Sequence, residues 1–153
     1  MQATITPLDA TLGARITDLD LSNMDEATWK SVEDAFHEYG ALVFPGQHIE
    51  ADAQVDFAKR FGNLETLNPE GKPTAVAISN KTEDGSVLKP DDFRYNTLRG
   101  NEGWHTDSSY MPLAAKASIL SAQIVPPEGG ETEVADMRAA YDELSQEIKD
   151  KIS

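Results

Sequence analysis

The stretch NEGWHTDSSY, residues 101–110, is the most informative part of this 153-residue chain. If it forms an extended strand, residues two apart point to the same face, and His105 and Asp107 present an imidazole and a carboxylate side by side. These groups are two of the three ligands in the facial triad of two histidines and one carboxylate, which leaves positions on iron(II) open. A bare His-x-Asp also occurs by chance, so a surface pair without a metal is the alternative.

The composition is that of a soluble globular protein of about one domain, with 39% hydrophobic and 26% charged residues. No apolar run approaches the roughly 20 residues that a membrane helix needs, so no membrane association is expected. The N-terminus lacks the basic and apolar regions of a secretory signal. Cysteine is absent, which excludes disulfides and thiolate metal sites and favours a cytoplasmic location.

The formal net charge of −14 restricts the partners of the chain. It would repel a phosphate backbone, so nucleic-acid binding is not expected. It would also oppose an anionic substrate at long range, unless Arg and Lys side chains reverse the field locally.

Helical patterns dominate residues 23–61. Asn23 is a candidate N-cap with Glu26 three residues later, and Gly40 is a candidate helix stop. The apolar face of this helix would consist of Trp29, Val32, Phe36 and Tyr39. Beyond it we expect, in order, a short strand over 41–44, a Pro45-Gly46 turn and a second helix over about 50–61.

The rest of the chain favours short strands separated by turns. The expected elements are a strand over 75–79, a lid loop over 80–100, metal-motif strands within 101–135 (including 116–125 and 131–135) and a helix over 137–152 capped by Asp136. The apolar face of the last helix would consist of Tyr141, Leu144, Ile148 and Ile152. Because strands follow helices without regular alternation, the order favours a β-sandwich or jelly roll with helices packed outside.

Segments spread over the whole chain accompany the His-x-Asp pair in a specific combination. They are GARI (13–16), LVFPGQ (42–47), FAKRFG (57–62), WHTDSSY (104–110), SILSA (118–122) and GGETEVADMRAAY (129–141). Together they resemble the taurine dioxygenase/dichlorophenoxyacetate dioxygenase (TauD/TfdA) family of iron(II)- and α-ketoglutarate-dependent oxidoreductases. The resemblance is greatest to the herbicide-dioxygenase branch.

The resemblance implies a mainly β fold, a double-stranded β-helix (jelly-roll) core with flanking helices, and roles for individual residues. His105 and Asp107 would bind Fe(II), and the hydroxyl of Thr132 would donate a hydrogen bond to a carboxylate of α-ketoglutarate. Asn101 would line the substrate pocket, although a loop asparagine that caps a turn is the alternative. With O2 as the oxidant, the family reaction hydroxylates a small anionic organic acid, such as a phenoxy-acid or a sulfonate, and releases succinate.

Four further side chains are open to two interpretations each. Arg94 and Arg99, in the expected lid, could bind an anionic substrate, or they could be solvated loop arginines. Lys116 is equally ambiguous. Trp104 is expected to pack beneath its strand as part of the core, with a direct substrate contact as the alternative.

Two functional residues of the family lack counterparts in the expected places. The family's second iron-binding histidine lies far downstream and is followed by an arginine that pairs with α-ketoglutarate. Here His37 and His48 both precede the metal motif, and Arg138 does not match the arginine. We therefore expect residues 1–153 to be the N-terminal part of a single dioxygenase domain that continues beyond them, inactive alone. The alternative is a non-catalytic fragment that acts as a binding or assembly module, and open strand edges leave a homo-oligomer conceivable.

Overall fold

The computed structural model describes residues 3–66 and 75–153, which contain three strands and five helices. In chain order these are β1 (Thr4–Pro7), β2 (Ala14–Thr17), α1 (Glu26–Tyr39), β3 (Leu42–Val43), α2 (Ala51–Lys59), α3 (Phe93–Gly100), α4 (Met137–Asp142) and α5 (Gln146–Ile152). The chain divides into two compact units: unit 1 comprises Met1–Ile49 with Ser121–Ser153, and unit 2 comprises Glu50–Leu120. None of the described helices is long and apolar enough to cross a membrane.

The sheet of unit 1 has the strand order β1-β2-β3. β1 runs antiparallel to β2, with Ile5 opposite Ile16, and β2 pairs in parallel with β3, with Ala14 opposite Leu42. Ala14 and Ile16 are both fully buried, because alternate side chains of a strand point to the same face. The strand predicted over 41–44 is confirmed as the two-residue β3.

Helix α1 begins and ends where its terminal backbone groups find partners. The Asp25 carboxylate accepts a hydrogen bond from the Thr28 backbone N–H at 2.7 Å, and this bond lowers the pKa of Asp25. Gly40 ends the helix at φ 72°, a left-handed conformation that suits a residue without Cβ. The predicted stop is thus confirmed. The predicted Asn23 cap is wrong, because the helix begins at Glu26 and Asp25 is its N-cap.

The apolar face of α1 contributes to the core of unit 1. Trp29, Val32 and Ala35 are buried, and their spacing of three residues matches the helical period. Phe36 and Tyr39, which were expected on the same face, are half-buried. The helix also contacts β3.

The Gln47 side chain joins two segments of unit 1 that are far apart in the sequence. Its Oε1 accepts from the Leu21 backbone N–H at 3.0 Å, and its Nε2 donates to the Leu19 carbonyl at 3.2 Å. One side-chain amide therefore pairs with a donor and an acceptor of a segment outside the helices and strands. Because Leu21 is buried, this two-point contact holds the segment at the core.

The C-terminal region forms two short helices where a single helix over 137–152 was expected. The Asp136 carboxylate caps α4, as predicted, by accepting from the Arg138 backbone N–H at 2.9 Å. The chain then leaves the helix, and Ser145 caps α5 by accepting from the Ile148 N–H at 3.4 Å. A serine hydroxyl competes for backbone bonds that a continuous helix would use, and this competition separates the two helices.

The Arg138 guanidinium lies at the C-terminal end of α1. Its Nη1 donates to the carbonyl of His37 at 3.5 Å and to that of Glu38 at 3.4 Å. The last carbonyls of a helix lack partners within it and carry partial negative charge, so a cation there is favourable. A Cβ on Gly40 would lie 3.1 Å from Nη2 of Arg138, so the glycine leaves room for this contact.

In unit 2, α2 agrees with the prediction and α3 does not. Helix α2 lies within the expected range of about 50–61, with Phe57 buried. Helix α3 lies in the segment 80–100 that was predicted to be a loop, and Asp92 caps it by accepting from the Arg94 N–H at 2.8 Å. No residue of α3 is buried, so the helix lacks the apolar periodicity by which a sequence reveals helices.

The strands predicted over 75–79, 116–125 and 131–135 are not formed, and neither is the strand predicted around His105. Among the described residues, no strand lies beside these segments. A composition that suits strands does not by itself supply the partner strand with which the backbone hydrogen bonds form. Exposed apolar side chains in these segments include Val76, Ile78, Ile124, Val125 and Val134. The described residues therefore form one three-stranded sheet and five helices, without a jelly roll.

Replacing Gln47 by alanine should lower the free energy of unfolding by about 1–3 kcal/mol, because a part-buried N–H and a part-buried carbonyl each lose a partner. The control is Gln146→Ala, since the exposed Gln146 amide contacts Asp150 on its own helix, and its effect should stay below about 0.5 kcal/mol. The measurement is urea unfolding of the full-length gene product, followed by circular dichroism. Equal unfolding midpoints for the two variants would contradict the two-point contact.

Candidate metal centre

The side chains of His105 and Asp107 meet, although neither residue belongs to a strand. His105 Nε2 lies 3.3 Å from Asp107 Oδ1, and both side chains are about half exposed (49% and 56%). Residues 104–106 belong to no helix or strand, and a turn over residues 107–110 follows them. The predicted pairing of an imidazole with a carboxylate is thus present, without the strand that was expected to produce it.

The imidazole of His105 is oriented by the backbone. Its Nδ1 lies 2.8 Å from the carbonyl oxygen of Gly103. A carbonyl oxygen can only accept a hydrogen bond, so Nδ1 carries a proton, and a neutral ring then presents the lone pair of Nε2 towards Asp107. This is the arrangement that metal-binding histidines adopt, with one ring nitrogen on the metal and the other donating to a carbonyl.

The carboxylate of Asp107 is oriented by a side chain from further along the chain. The Ser118 hydroxyl donates to Oδ2 at 2.7 Å, while Oδ1 faces the imidazole. Two donor atoms about 2.1 Å from one ion at a right angle are about 3 Å apart. The 3.3 Å between Nε2 and Oδ1 is close to that spacing, so the donor set fits two adjacent ligands of one metal ion.

The turn that begins at Asp107 is held by the carboxylate of Glu65. The hydroxyl of Ser108 donates to Glu65 Oε2, and the phenol of Tyr110 donates to Oε1 at 3.3 Å. Ser108 is 91% buried and has φ 55°, a left-handed conformation that is uncommon outside glycine. The negative charge of Glu65 is the main cause of a raised pKa for Tyr110, followed by partial burial of the phenol.

The predicted substrate residues lie around α3. Asn101 is the C-cap of the helix, and its backbone N–H donates to the Leu98 carbonyl at 3.1 Å. Arg94 and Arg99 are exposed on α3 itself, with Nε 3.6 Å from Asp92 and 4.0 Å from Glu102, respectively. A substrate role for these three residues stays a prediction.

The predicted cosubstrate residue, Thr132, belongs to unit 1, whereas His105 and Asp107 belong to unit 2. Thr132 is exposed, and the strand expected over 131–135 is not formed. Its bond to α-ketoglutarate stays a prediction.

The remaining candidates lie apart from the pair or differ from expectation. His37 is exposed on α1, and His48 is exposed with φ 45°; both belong to unit 1. Trp104 is 72% exposed, so its predicted place in the core is wrong for the described chain, because the strand that it was to pack beneath is absent. Over residues 3–66 and 75–153, no group of three or more His, Asp or Glu side chains is placed to hold a metal ion.

Three residues that orient the His105–Asp107 pair could not be recognised in this role from the sequence. Ser118 and Ser108 fall in segments that resemble the family, but their partners lie 11 and 43 residues away along the chain. Glu65 follows α2 in a segment without any recognised motif. The sequence signal for these contacts was the two serines, because a hydroxyl that is buried or beside a charge needs a hydrogen-bond partner.

The chain and its fold resemble those of a known protein family. The structure superimposes on that of AAD-2 in complex with Mn(II) and N-oxalylglycine with a TM-score of 0.87 and 40% sequence identity, covering 99% of this chain and 53% of that chain. The model of the family described as "Taurine catabolism dioxygenase TauD, TfdA family" matches residues 4–153. The chain belongs to this family, and the resemblance noted in its sequence is confirmed.

Curated relatives indicate the branch of the family. The chain is 46% identical over 150 residues to the (S)-phenoxypropionate/α-ketoglutarate-dioxygenase of Sphingobium herbicidovorans, covering 97% of this chain and 50% of the relative. It is 35% identical over 161 residues to the α-ketoglutarate-dependent 2,4-dichlorophenoxyacetate dioxygenase of Cupriavidus pinatubonensis, covering 99% and 56%. The chain spans about half the length of the curated relatives that it matches.

Substituting Glu65 by glutamine should lower the pKa of Tyr110, because the carboxylate charge that disfavours the phenolate is removed. The pKa is measured by ultraviolet titration of the phenolate, and Tyr110→Phe identifies which of the four tyrosines gives the signal. The control is Glu83→Gln, which removes one exposed carboxylate elsewhere in unit 2. An unchanged Tyr110 pKa in Glu65→Gln would show that the contact between Glu65 and Tyr110 does not form.

Proposed function

We propose that the full-length gene product is a non-haem iron(II)- and α-ketoglutarate-dependent dioxygenase that hydroxylates a small phenoxy-carboxylic acid. The observation that carries the proposal is the His105–Asp107 pair, in which each side chain is oriented by a separate hydrogen bond. Family membership and the phenoxy-acid oxygenase names of the relatives support it. The absence of cysteine fits the cytoplasmic location that we propose with it.

The described residues would supply two of the iron ligands. His105 would bind through the lone pair of Nε2, and Asp107 would bind through Oδ1 and bring one negative charge to the ion. The Gly103 carbonyl and the Ser118 hydroxyl would keep both groups in place while the other positions exchange their occupants. A further ligand would come from residues outside the described set.

When bound, iron(II) would couple the oxidation of α-ketoglutarate by O2, which gives succinate and CO2, to insertion of the second oxygen atom into a substrate C–H bond. Hydroxylation of the carbon next to an ether oxygen gives a hemiketal or hemiacetal. This product collapses by breaking its bond to the phenol oxygen, and the hydroxyl proton moves to the departing phenolate. With 2-phenoxypropionate, the products would be phenol and pyruvate.

The cosubstrate and the substrate both carry carboxylates, which need donors. We propose that the Thr132 hydroxyl donates to a carboxylate of α-ketoglutarate, and that Arg94, Arg99 and Asn101 serve the substrate. The Mn(II) and N-oxalylglycine bound to AAD-2 support the choice of cofactors, because N-oxalylglycine differs from α-ketoglutarate in having an NH in place of one CH2.

We also propose that residues 1–153 form the N-terminal part of a jelly-roll dioxygenase domain. The support is the set of large apolar side chains that the described chain leaves exposed, together with relatives of about twice its matched length. These side chains include Phe93, Trp104, Leu113, Ile124 and Val125. Their burial against further strands of the domain would be favourable.

His105→Ala and Asp107→Ala should each abolish metal-dependent succinate formation, because each removes one of three expected protein ligands. The assay follows succinate from α-ketoglutarate with Fe(II), O2 and 2-phenoxypropionate, in parallel with taurine as a sulfonate substrate. His37→Ala, which removes an exposed imidazole of α1, is the matched control and should keep wild-type rates. Near-normal turnover by Asp107→Ala would reject the metal assignment, and turnover of taurine in preference to the phenoxy-acid would reject the substrate class.

Thr132→Ala should raise the KM for α-ketoglutarate about ten- to a hundredfold, because one hydrogen bond to a charged group contributes about 1.5–3 kcal/mol. The value of kcat should change much less at saturating cosubstrate. Thr4→Ala, at an exposed position of β1, is the control. An unchanged KM for α-ketoglutarate in Thr132→Ala would leave this threonine without a cosubstrate role.

A further inference from the structure

We propose that Glu65 is a positioning residue for the metal centre, holding the Asp107–Tyr110 turn so that the Asp107 carboxylate faces His105. The inference rests on the proposed function, because the turn matters for chemistry only if the pair binds a metal. Glu65 lies outside the metal motif and would act through Ser108 and Tyr110.

The two oxygens of Glu65 bind the turn at two points. Oε2 accepts from the hydroxyl of Ser108, the residue directly after Asp107, and Oε1 accepts from the phenol of Tyr110 two residues later at 3.3 Å. In the same segment, the Met111 backbone N–H donates to the Ser108 carbonyl at 3.0 Å and closes the turn. A single carboxylate therefore fixes both the beginning and the end of the segment that follows the ligand.

The conformation of Ser108 is the reason why an external partner is needed. Its φ of 55° lies in the left-handed region, which L-residues other than glycine, asparagine and aspartate seldom adopt. Its side chain is 91% buried, and a buried hydroxyl without a partner is unfavourable. The bond to Glu65 satisfies the hydroxyl in the left-handed conformation, so Glu65 selects that conformation over the extended one.

The direction of the Asp107 side chain depends on this selection. If Ser108 returned to an extended conformation, the chain after Ser108 would change direction relative to Asp107, and the Ser118 hydroxyl would leave the Asp107 carboxylate, which it holds beside His105. Ser118 holds Oδ2 at 2.7 Å, while Glu65 holds the backbone, so the two contacts fix different parts of the same ligand. Metal ligands lose affinity when such outer contacts are removed, typically by ten- to a hundredfold.

The experiment measures Mn(II) affinity and local hydrogen exchange in the full-length gene product. Mn(II) replaces Fe(II) as the probe because it does not oxidise in air, and free Mn(II) is quantified by electron paramagnetic resonance. The variants are Glu65→Ala, the conservative Glu65→Gln, Ser108→Ala and the double variant Glu65→Ala/Ser108→Ala. Glu83→Gln is the control for removal of one exposed carboxylate from unit 2.

We expect Glu65→Ala and Ser108→Ala each to weaken Mn(II) binding about tenfold, at the lower end of the usual range because Glu65 is exposed. The double variant should be no weaker than Glu65→Ala, since Glu65→Ala already removes the bond to Ser108 together with the bond to Tyr110. Glu65→Gln should retain part of the affinity, because its amide oxygen still accepts one hydrogen bond. Amide exchange over residues 106–111 should accelerate in Glu65→Ala and stay unchanged in Glu83→Gln.

Two results would overturn the inference and leave the proposed function intact. One is unchanged exchange over residues 106–111 in both Glu65 variants, which would show that Glu65 does not hold the turn. The other is faster exchange with unchanged Mn(II) affinity, which would show that the turn does not position a ligand. A wild-type protein that binds no Mn(II) would refute the proposed function and, with it, the positioning role, while accelerated exchange in Glu65→Ala would still show a purely structural contact.

Discussion

The loop that carries His105 and Asp107 is held by side-chain hydrogen bonds, since no strand of the described chain pairs with it. In a strand, a ladder of backbone bonds would fix both side chains together. Here the Gly103 carbonyl fixes the imidazole and the Ser118 hydroxyl fixes the carboxylate, each through a single contact. Each contact therefore controls one side chain of the pair, and the loss of a single hydroxyl can change the geometry of the pair.

The sequence was informative about the fold wherever a local signal decides the structure. Gly40 ends α1 and Asp136 caps α4 because the cause of each boundary lies within a few residues of it. The strands over 116–125 and 131–135 failed because a strand exists only beside a partner, and composition does not supply one. Helix α3 was missed for the opposite reason: Asp92 caps it, but it buries no residue, so no apolar periodicity accompanied the cap.

For the site, the sequence identified the pair and not its support. The spacing of His105 and Asp107 suggested adjacent side chains, and they are adjacent, although neither residue belongs to the strand that was expected there. Residues that orient the pair come from elsewhere: Glu65 is 43 residues from its partner Ser108, and Ser118 is 11 residues from Asp107. Contacts over such distances depend on the tertiary fold, and a single sequence contains no local pattern that reveals them.

Because the chain is negatively charged, the proposed chemistry requires cations near the site to bind the anionic cosubstrate and substrate. Iron(II) with one carboxylate ligand keeps one positive charge, whereas α-ketoglutarate and a phenoxy-acid would bring three negative charges between them. Arg94 and Arg99 lie in the same unit as His105 and Asp107 and contact Asp92 and Glu102 at 3.6 and 4.0 Å, long contacts in which both arginines are exposed.

Exposed ion pairs of this kind contribute little, at most about 1 kcal/mol. An arginine held so weakly can exchange its carboxylate partner for a substrate carboxylate at small cost, and a bidentate pair with a partly desolvated substrate would be the stronger of the two. The weak pairing of these arginines in the described chain is therefore compatible with a substrate role. A net charge of −14 need not prevent an anionic substrate from binding, because the nearest cations set the local electrostatic field. Salt screens the charges that lie more than about 10 Å away.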